Sequence, residues 1–393
     1  MTIHRPVAAA PAPMTRPFYE RVQAKLRAAL ERAGHDGLLM LSTGNVVYST
    51  GFFHSANERP IGVYVPVSGE PVLFVPLLEK ENAEAGWIAD VRTYDEFPGV
   101  VHPVLWMIGA CGARRLAVDT IPVRLLDAAR ELAPHLAVTD MVERQRFVKE
   151  PEELALARTA AAYADLCLAA ILADTAAIVR EGGTELDILG HGVRTASAAL
   201  TRDHGAAFGH TRFHVVGTVH TGPRGALPHG KTMARRPDPG DTMIAGIGAS
   251  LGGYHAESGA TFVLGQPTAD QRRCMDAMQA CNDAAVAALR PGVPCSAVND
   301  AAMAPIRAAG LGEAIRHRIG HGMGIEGHEA PWLAPGDDTP VEAGMVFSNE
   351  PGIYRPGIDG WRTINTMIVG ERGVELPSRF LSDHPWERRV IEL

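Results

Sequence analysis

The sequence predicts a small α/β domain followed by a larger α+β domain, and three observations carry that reading. Short apolar strand candidates are interleaved with helical segments up to residue 148. A long helical segment, "KEPEELALARTAAAYADLCLAAILADTAAIVREGG", then marks a boundary. Beyond it, helices alternate with antiparallel-looking strands, including the ribbon "GDTMIAGIGASLGGYHAESGATF" that starts at Gly240. The expected organisation is a disordered tail over 1–16, a first domain over 17–148 and a second over 149–393.

Each element has a local reason. From Phe18 to about Gly34, Val22, Leu26, Ala29 and Leu30 recur at helical spacing. "DGLLMLS", "IGVYVPV", "PVLFVPL" and "RLAVD" are short apolar strand candidates. Pro151 suits a first helical turn, Glu152 and Glu153 complement the helix dipole, and Gly182-Gly183 stops the helix. Thr184 opens the next helix as the capping box "TELD". Later helices run from about Ala269 to Leu289 and from Ser296 to Gly310, and "MVFSN" and "TMIVG" are further strands. Two helix-pair-plus-ribbon halves are visible, without a short internal repeat.

At 393 residues the chain is long enough for two cores. A net charge of −8 argues against a dedicated nucleic-acid or anionic-membrane partner. Asp165 and Asp174 interrupt the longest apolar run, so no membrane span is expected. The Pro/Ala-rich start lacks the pattern of a signal peptide, and five cysteines without CxxC spacing fit a reduced, cytoplasmic protein.

Three stretches carry candidate chemistry. In "HTGPRGALPHGKTM", His229 sits between Pro and Gly on a constrained turn; with 16 histidines in the chain, this alone says little. In "RIGHGMGIEGHEAPWL", glycines at 320, 322, 324 and 327 argue against a helix, leaving His321 and His328 on a Gly-rich strand or loop. In "VEAGMVFSNEPGIYRPGIDGWRTINTMIVGERG", Glu350 ends an apolar strand, and Trp361 and Arg362 lie on or beside the next one.

Together, and in this order, these stretches resemble the creatinase/aminopeptidase P/methionine aminopeptidase family, whose fold is called pita-bread. "KEPEELALAR…GGTELDI", "GPRGALPH", "GHGMGIEGHEAP" and "AGMVFSNEPGIY" with "GWRTINTMIV" carry the resemblance over the second domain. "STGNVVYSTGF" resembles the first domain of the creatinase and Xaa-Pro peptidase branch. The resemblance implies a C-terminal pita-bread domain preceded by a smaller creatinase-type α/β domain, acting as a homodimer on a small-molecule substrate.

It also implies a site. Metallopeptidases of the family hold two divalent ions with Asp, Asp, His, Glu and Glu. At the matching positions this chain has Gly246, Glu257, His321, Glu350 and Ile364. Two carboxylates are therefore missing, and a normal dinuclear centre is not expected. The metal-free precedent is creatinase. By that resemblance the expected function is metal-independent hydrolysis of a C–N bond without a cofactor, with His229, Glu257, His321, His328 and Glu350 as catalytic candidates. Arg59 falls where creatinases carry an arginine that grips the substrate carboxylate in the partner's pocket. Tyr254, His255, Trp332, Trp361 and Arg362 complete the substrate-binding candidates, the aromatic ones suiting a cationic group.

Two alternatives stand beside this expectation. One is an Xaa-Pro aminopeptidase or dipeptidase with a single ion, such as Mn, Zn or Co, on Glu257, His321 and Glu350. The other is a catalytically inactive pita-bread domain used for binding.

Overall fold

The structure, a computed structural model, describes residues 11–393. The expected tail over 1–16 therefore falls largely outside the described residues; residues 11–15 have no regular structure and a helix begins at Arg16. The chain divides into two compact units, Met14–Arg146 and Phe147–Leu393.

In the first unit, helix Arg16–Ala33 buries Phe18, Val22, Leu26 and Leu30, as the spacing requires, and ends on Gly34 at φ 73°. Six strands form one mixed sheet. Its order is Asp90–Tyr94, Val72–Pro76, Gly62–Pro66, Gly37–Met40, Leu116–Val118 and Ala137–Val138. The all-buried run of Gly37–Met40 reflects its central place, antiparallel to Gly62–Pro66 and parallel to Leu116–Val118. "TGNVVYST" is a buried helix, Thr43–Thr50, packed beside Arg16–Ala33.

The second unit opens with helix Pro151–Arg180. Its N-terminus is capped reciprocally by the Glu150 and Glu153 side chains, with Pro151 in the first turn. By length and composition this helix is apolar enough to cross a membrane, which corrects the expectation that its aspartates break any such run. Its buried face instead covers the long hairpin described next. Asp165 is held there by Ser258 Oγ, which donates at 2.6 Å, and by the Arg379 N–H at 2.5 Å. Helix Glu185–Phe208 follows, started by the expected Thr184–Asp187 capping box.

The ribbon forms a hairpin of Thr242–Leu251 and Tyr254–Leu264, turning through Gly252 and Gly253 at φ 60° and 86°. It belongs to a nine-stranded sheet. The path through it runs Glu329–Leu333, Gly320–Gly322, Val346–Asn349, Ile364–Val369, Tyr254–Leu264, Thr242–Leu251 and His214–Thr221. Two short strands, Val374–Glu375 and Val390–Ile391, pair beside it. Helices Ala269–Ala288 and Cys295–Ala308 cover one face, burying Cys281, Met303, Phe347, Met367 and Trp361 in a single apolar cluster. The mixed sheet-and-helix unit that this builds carries a cleft lined in part by strands His214–Thr221, Thr242–Leu251, Tyr254–Leu264 and Ile364–Val369.

Candidate active site

The cleft has a volume of about 520 Å³ and lies wholly in the second unit. His229, Gly246, Glu257, His328, Glu350, Arg362 and Ile364 line it, together with Thr218 and Lys231.

His321 is fixed by its strand. Gly320–Gly322 is flanked on both sides by antiparallel partners, Val346–Asn349 and Glu329–Leu333. A Cβ on Gly320 would overlap the Ser348 carbonyl oxygen, and one on Gly322 would lie 2.7 Å from the Ala330 carbonyl. Only glycine on both sides lets the strand carry His321 this deep. The ring is fully buried, with Nδ1 3.0 Å from the Gly322 carbonyl, which places the donor proton on that nitrogen. Nε2 is then left buried with no hydrogen-bond partner. It stands 3.4 Å from Glu350 Oε1 and 3.9 Å from Glu257 Oε2. Burial draws the His321 pKa down, but the two carboxylates outweigh it and leave it raised.

His328 stacks on His321 with ring centroids 3.7 Å apart and planes 17° apart. Ligand atoms of Glu257, His321 and His328 all lie within 4.8 Å of one another. Glu257 is oriented by Ser348 Oγ, which donates to Oε2 at 2.7 Å, and its backbone is held on both sides by Thr366 Oγ1. Burial and the neighbouring Glu350 raise its pKa, against the pull of His321. Glu350 goes the other way: burial would raise it, yet His321 and Arg362 bring it to about 2.

The remaining positions explain why a two-ion centre does not fit. Gly246 offers no donor, and a Cβ there would sit 2.7 Å from Arg362 Nη2 and 3.3 Å from Ile364 Cδ1. Ile364 fills the place of the last carboxylate with hydrocarbon, and Arg362 adds a fixed positive charge. Hard divalent ions need several oxygen donors, which these residues do not supply twice. One ion is what these residues could hold: ligand atoms of Glu257, His321 and His328 lie within 4.8 Å of one another, and Nε2 of His321 has no hydrogen-bond partner. His328 thereby joins the single-ion ligand set expected from sequence, and Glu350 stands beside it.

Several expected substrate contacts lie elsewhere. Tyr254 is in the core, its hydroxyl donating to Glu153 Oε1 at 2.7 Å. Trp361 is 1% exposed in the apolar cluster under the sheet. His255 is turned toward the Gly324 carbonyl, 3.1 Å from Nδ1, and burial lowers its pKa to about 4. Trp332 lies under the Arg318 guanidinium, 4.5 Å from the ring centroid. None of these four lines the cleft. Arg59, in the first unit, is ion-paired with Glu58 and, at 2.8 Å, with Glu96.

Ser348 and Thr366, which orient Glu257, escaped the sequence reading. Strand alternation carries the missing signal, because Ser348 shares a face with Glu350, and Thr366 with Ile364, two residues apart. His317 also went unnoticed; its Nε2 is 2.8 Å from the Tyr354 hydroxyl.

Comparison with known proteins gives two domain matches. Residues 155–371 match metallopeptidase family M24, and residues 23–148 match the creatinase/prolidase N-terminal domain. A Mycobacterium tuberculosis protein named a probable dipeptidase PepE is 34% identical over 90% of this chain and 93% of its own. A Lactobacillus helveticus Xaa-Pro dipeptidase is 30% identical over 89% and 94%. The crystal structure of dipeptidase PepE from Mycobacterium ulcerans superposes with a TM-score of 0.80 at 30% identity, covering 97% of this chain and all of that one. These matches overturn the metal-independent, creatinase-like expectation and, with it, the expectation of no cofactor. The relatives carry peptidase names within a metallopeptidase family, and the histidine and carboxylate donors here converge as ligands do.

Proposed function

Because the chain belongs to metallopeptidase family M24 and carries the creatinase/prolidase N-terminal domain, we propose that it is a hydrolase of dipeptides, of the Xaa-Pro type, that works with one divalent ion. The observation that supports this most is the convergence of Glu257, His321 and His328 around the unpartnered Nε2 of a fully buried histidine. Those three residues would hold the ion, such as Mn, Zn or Co. When bound, it supplies a Lewis acid that polarises a carbonyl and lowers the pKa of water.

The chain's own residues do the rest. Glu350, on the same cleft wall, offers a carboxylate to the free amino group of a dipeptide. His229, on its turn beside the cleft, carries an exchangeable proton to the leaving nitrogen. Ser348 and Thr366 hold Glu257 in one orientation, so it does not have to be reorganised when a ligand enters. Burial of the cleft floor at His321 and Arg362 keeps water from competing for the reacting groups.

The test is hydrolysis of a dipeptide panel that includes Ala-Pro, with added Mn²⁺ and after exhaustive chelation. Turnover that disappears on chelation and returns with metal supports the proposal. Metal-loaded protein that cleaves no member of the panel would overturn it.

A further inference from the structure

We propose that Arg362 is a carboxylate-recognition residue in this cleft: its guanidinium takes the acid group of the substrate where the fold otherwise places a ligand carboxylate of the protein. The inference rests on the cleft being the substrate site.

Four observations support it. Arg362 is only 8% exposed, yet its guanidinium lines the cleft. No carboxylate oxygen lies within ion-pair distance of it among the described residues; its Nη1 donates to the Pro228 carbonyl at 3.1 Å, and Nε has no partner. Its backbone is pinned by Thr261 Oγ1, which accepts from the Arg362 N–H at 2.8 Å and donates to its carbonyl at 2.9 Å. Finally, the atom nearest to a Cβ built on Gly246 is Arg362 Nη2, at 2.7 Å, so a carboxylate-bearing side chain at 246 would fall on the guanidinium.

The physical consequence follows from burial. A guanidinium taken out of water without an anion is costly, and a planar fork of donors matches a carboxylate. Gly246 carries no side chain that could neutralise it. Glu350 and Glu257 feel its field, which favours the ionised form of each although burial leaves Glu257 raised overall, but neither pairs with it. What completes the pair is therefore an anion brought by the ligand. Pro228, which holds Nη1, is next to His229, so the recognition group and the proton-carrying turn are tied together.

The probe is N-acetyl-L-proline, which has a free carboxylate and a blocked amine, compared with its amide. Both are titrated calorimetrically into the full chain, as purified with its metal and again in EDTA. The acid binding about tenfold or more tighter than the amide, in both conditions, is the expected result. Arg362→Gln should abolish the difference, Arg362→Lys should keep part of it, and Gly246→Asp should also abolish it by pairing with the guanidinium inside the protein. Failure of the acid to bind, equal binding of acid and amide, a preference that vanishes in EDTA, or a preference that survives Arg362→Gln each overturns the inference. Should Arg362→Gln not fold, Gly246→Asp and the wild-type comparison still decide. Lack of Ala-Pro turnover with the acid preference intact would sink the dipeptidase reading alone.

Discussion

Glu329→Ala should destabilise the second unit by about 3–5 kcal/mol. Glu329 follows His328 directly and lies 2.8 Å from Lys149 Nζ, with side-chain exposures of 9% and 2%. At that distance and an effective dielectric near 20, the gross attraction is about 6 kcal/mol, most of it spent on desolvating two charges. The pair itself is thus worth little net, but removing one member strands the other in a site with almost no water. A double-mutant cycle in urea isolates the effect. Glu329→Ala and Lys149→Met each lose several kcal/mol, while the double variant loses clearly less than the two combined. The carboxylate also braces the loop beside His328: Gly324 comes so close to Glu329 Oε1 that a Cβ there would lie 2.5 Å away. Apparent Mn²⁺ affinity in Glu329→Ala should therefore fall about 10–100-fold. A cost below about 1 kcal/mol, or strictly additive single changes, would refute the reasoning.

Other outcomes follow from the same geometry. Elemental analysis of protein dialysed against Mn²⁺ should find no more than one ion per chain, and His321→Ala should find none; two retained ions would contradict the reading of Gly246 and Ile364. Gly320→Ala should cost about 2–3 kcal/mol in urea and weaken metal retention, because its methyl meets the Ser348 carbonyl, which belongs to a paired strand and cannot swing aside. Burial raises Glu153 from 4.5 to about 7, so the folded chain holds that proton more tightly than the unfolded one. The corresponding stability is present in full below about pH 4.5 and lost as pH rises through about 7, roughly 3 kcal/mol in all. Unfolding of Glu153→Gln should lack this component between pH 5 and 8.5, and identical pH slopes for both proteins would count against it.

Much of the fold could be read from local sequence because its signals are local. Pro151 with Glu153, the Thr184–Asp187 box and the Gly252-Gly253 turn each set one boundary through a hydrogen bond or a φ angle that neighbouring residues determine. What was misplaced depended on which face of a strand meets which layer. Trp361 and Arg362 are adjacent, so one had to enter the core if the other entered the cleft, and the substrate contacts expected of both could not hold together. Tyr254 looked like a pocket residue until the helix across the sheet supplied Glu153 as its acceptor, a partner 101 residues away. The metal question turned on a distance between His328 and Glu257, set by strand register and ring stacking that spacing along the chain does not encode.

Ile364 also constrains how this protein can change over generations. Its Cδ1 lies 3.3 Å from a Cβ at Gly246 and 2.7 Å from one at Gly259. At Gly259 a side chain needs Ile364 to shift or become smaller first, whereas at Gly246 the tip of the isoleucine has only to give by a few tenths of an ångström. Ile364 thus sets an order on changes to this cleft: position 364 has to be trimmed or moved before position 259 can carry a side chain.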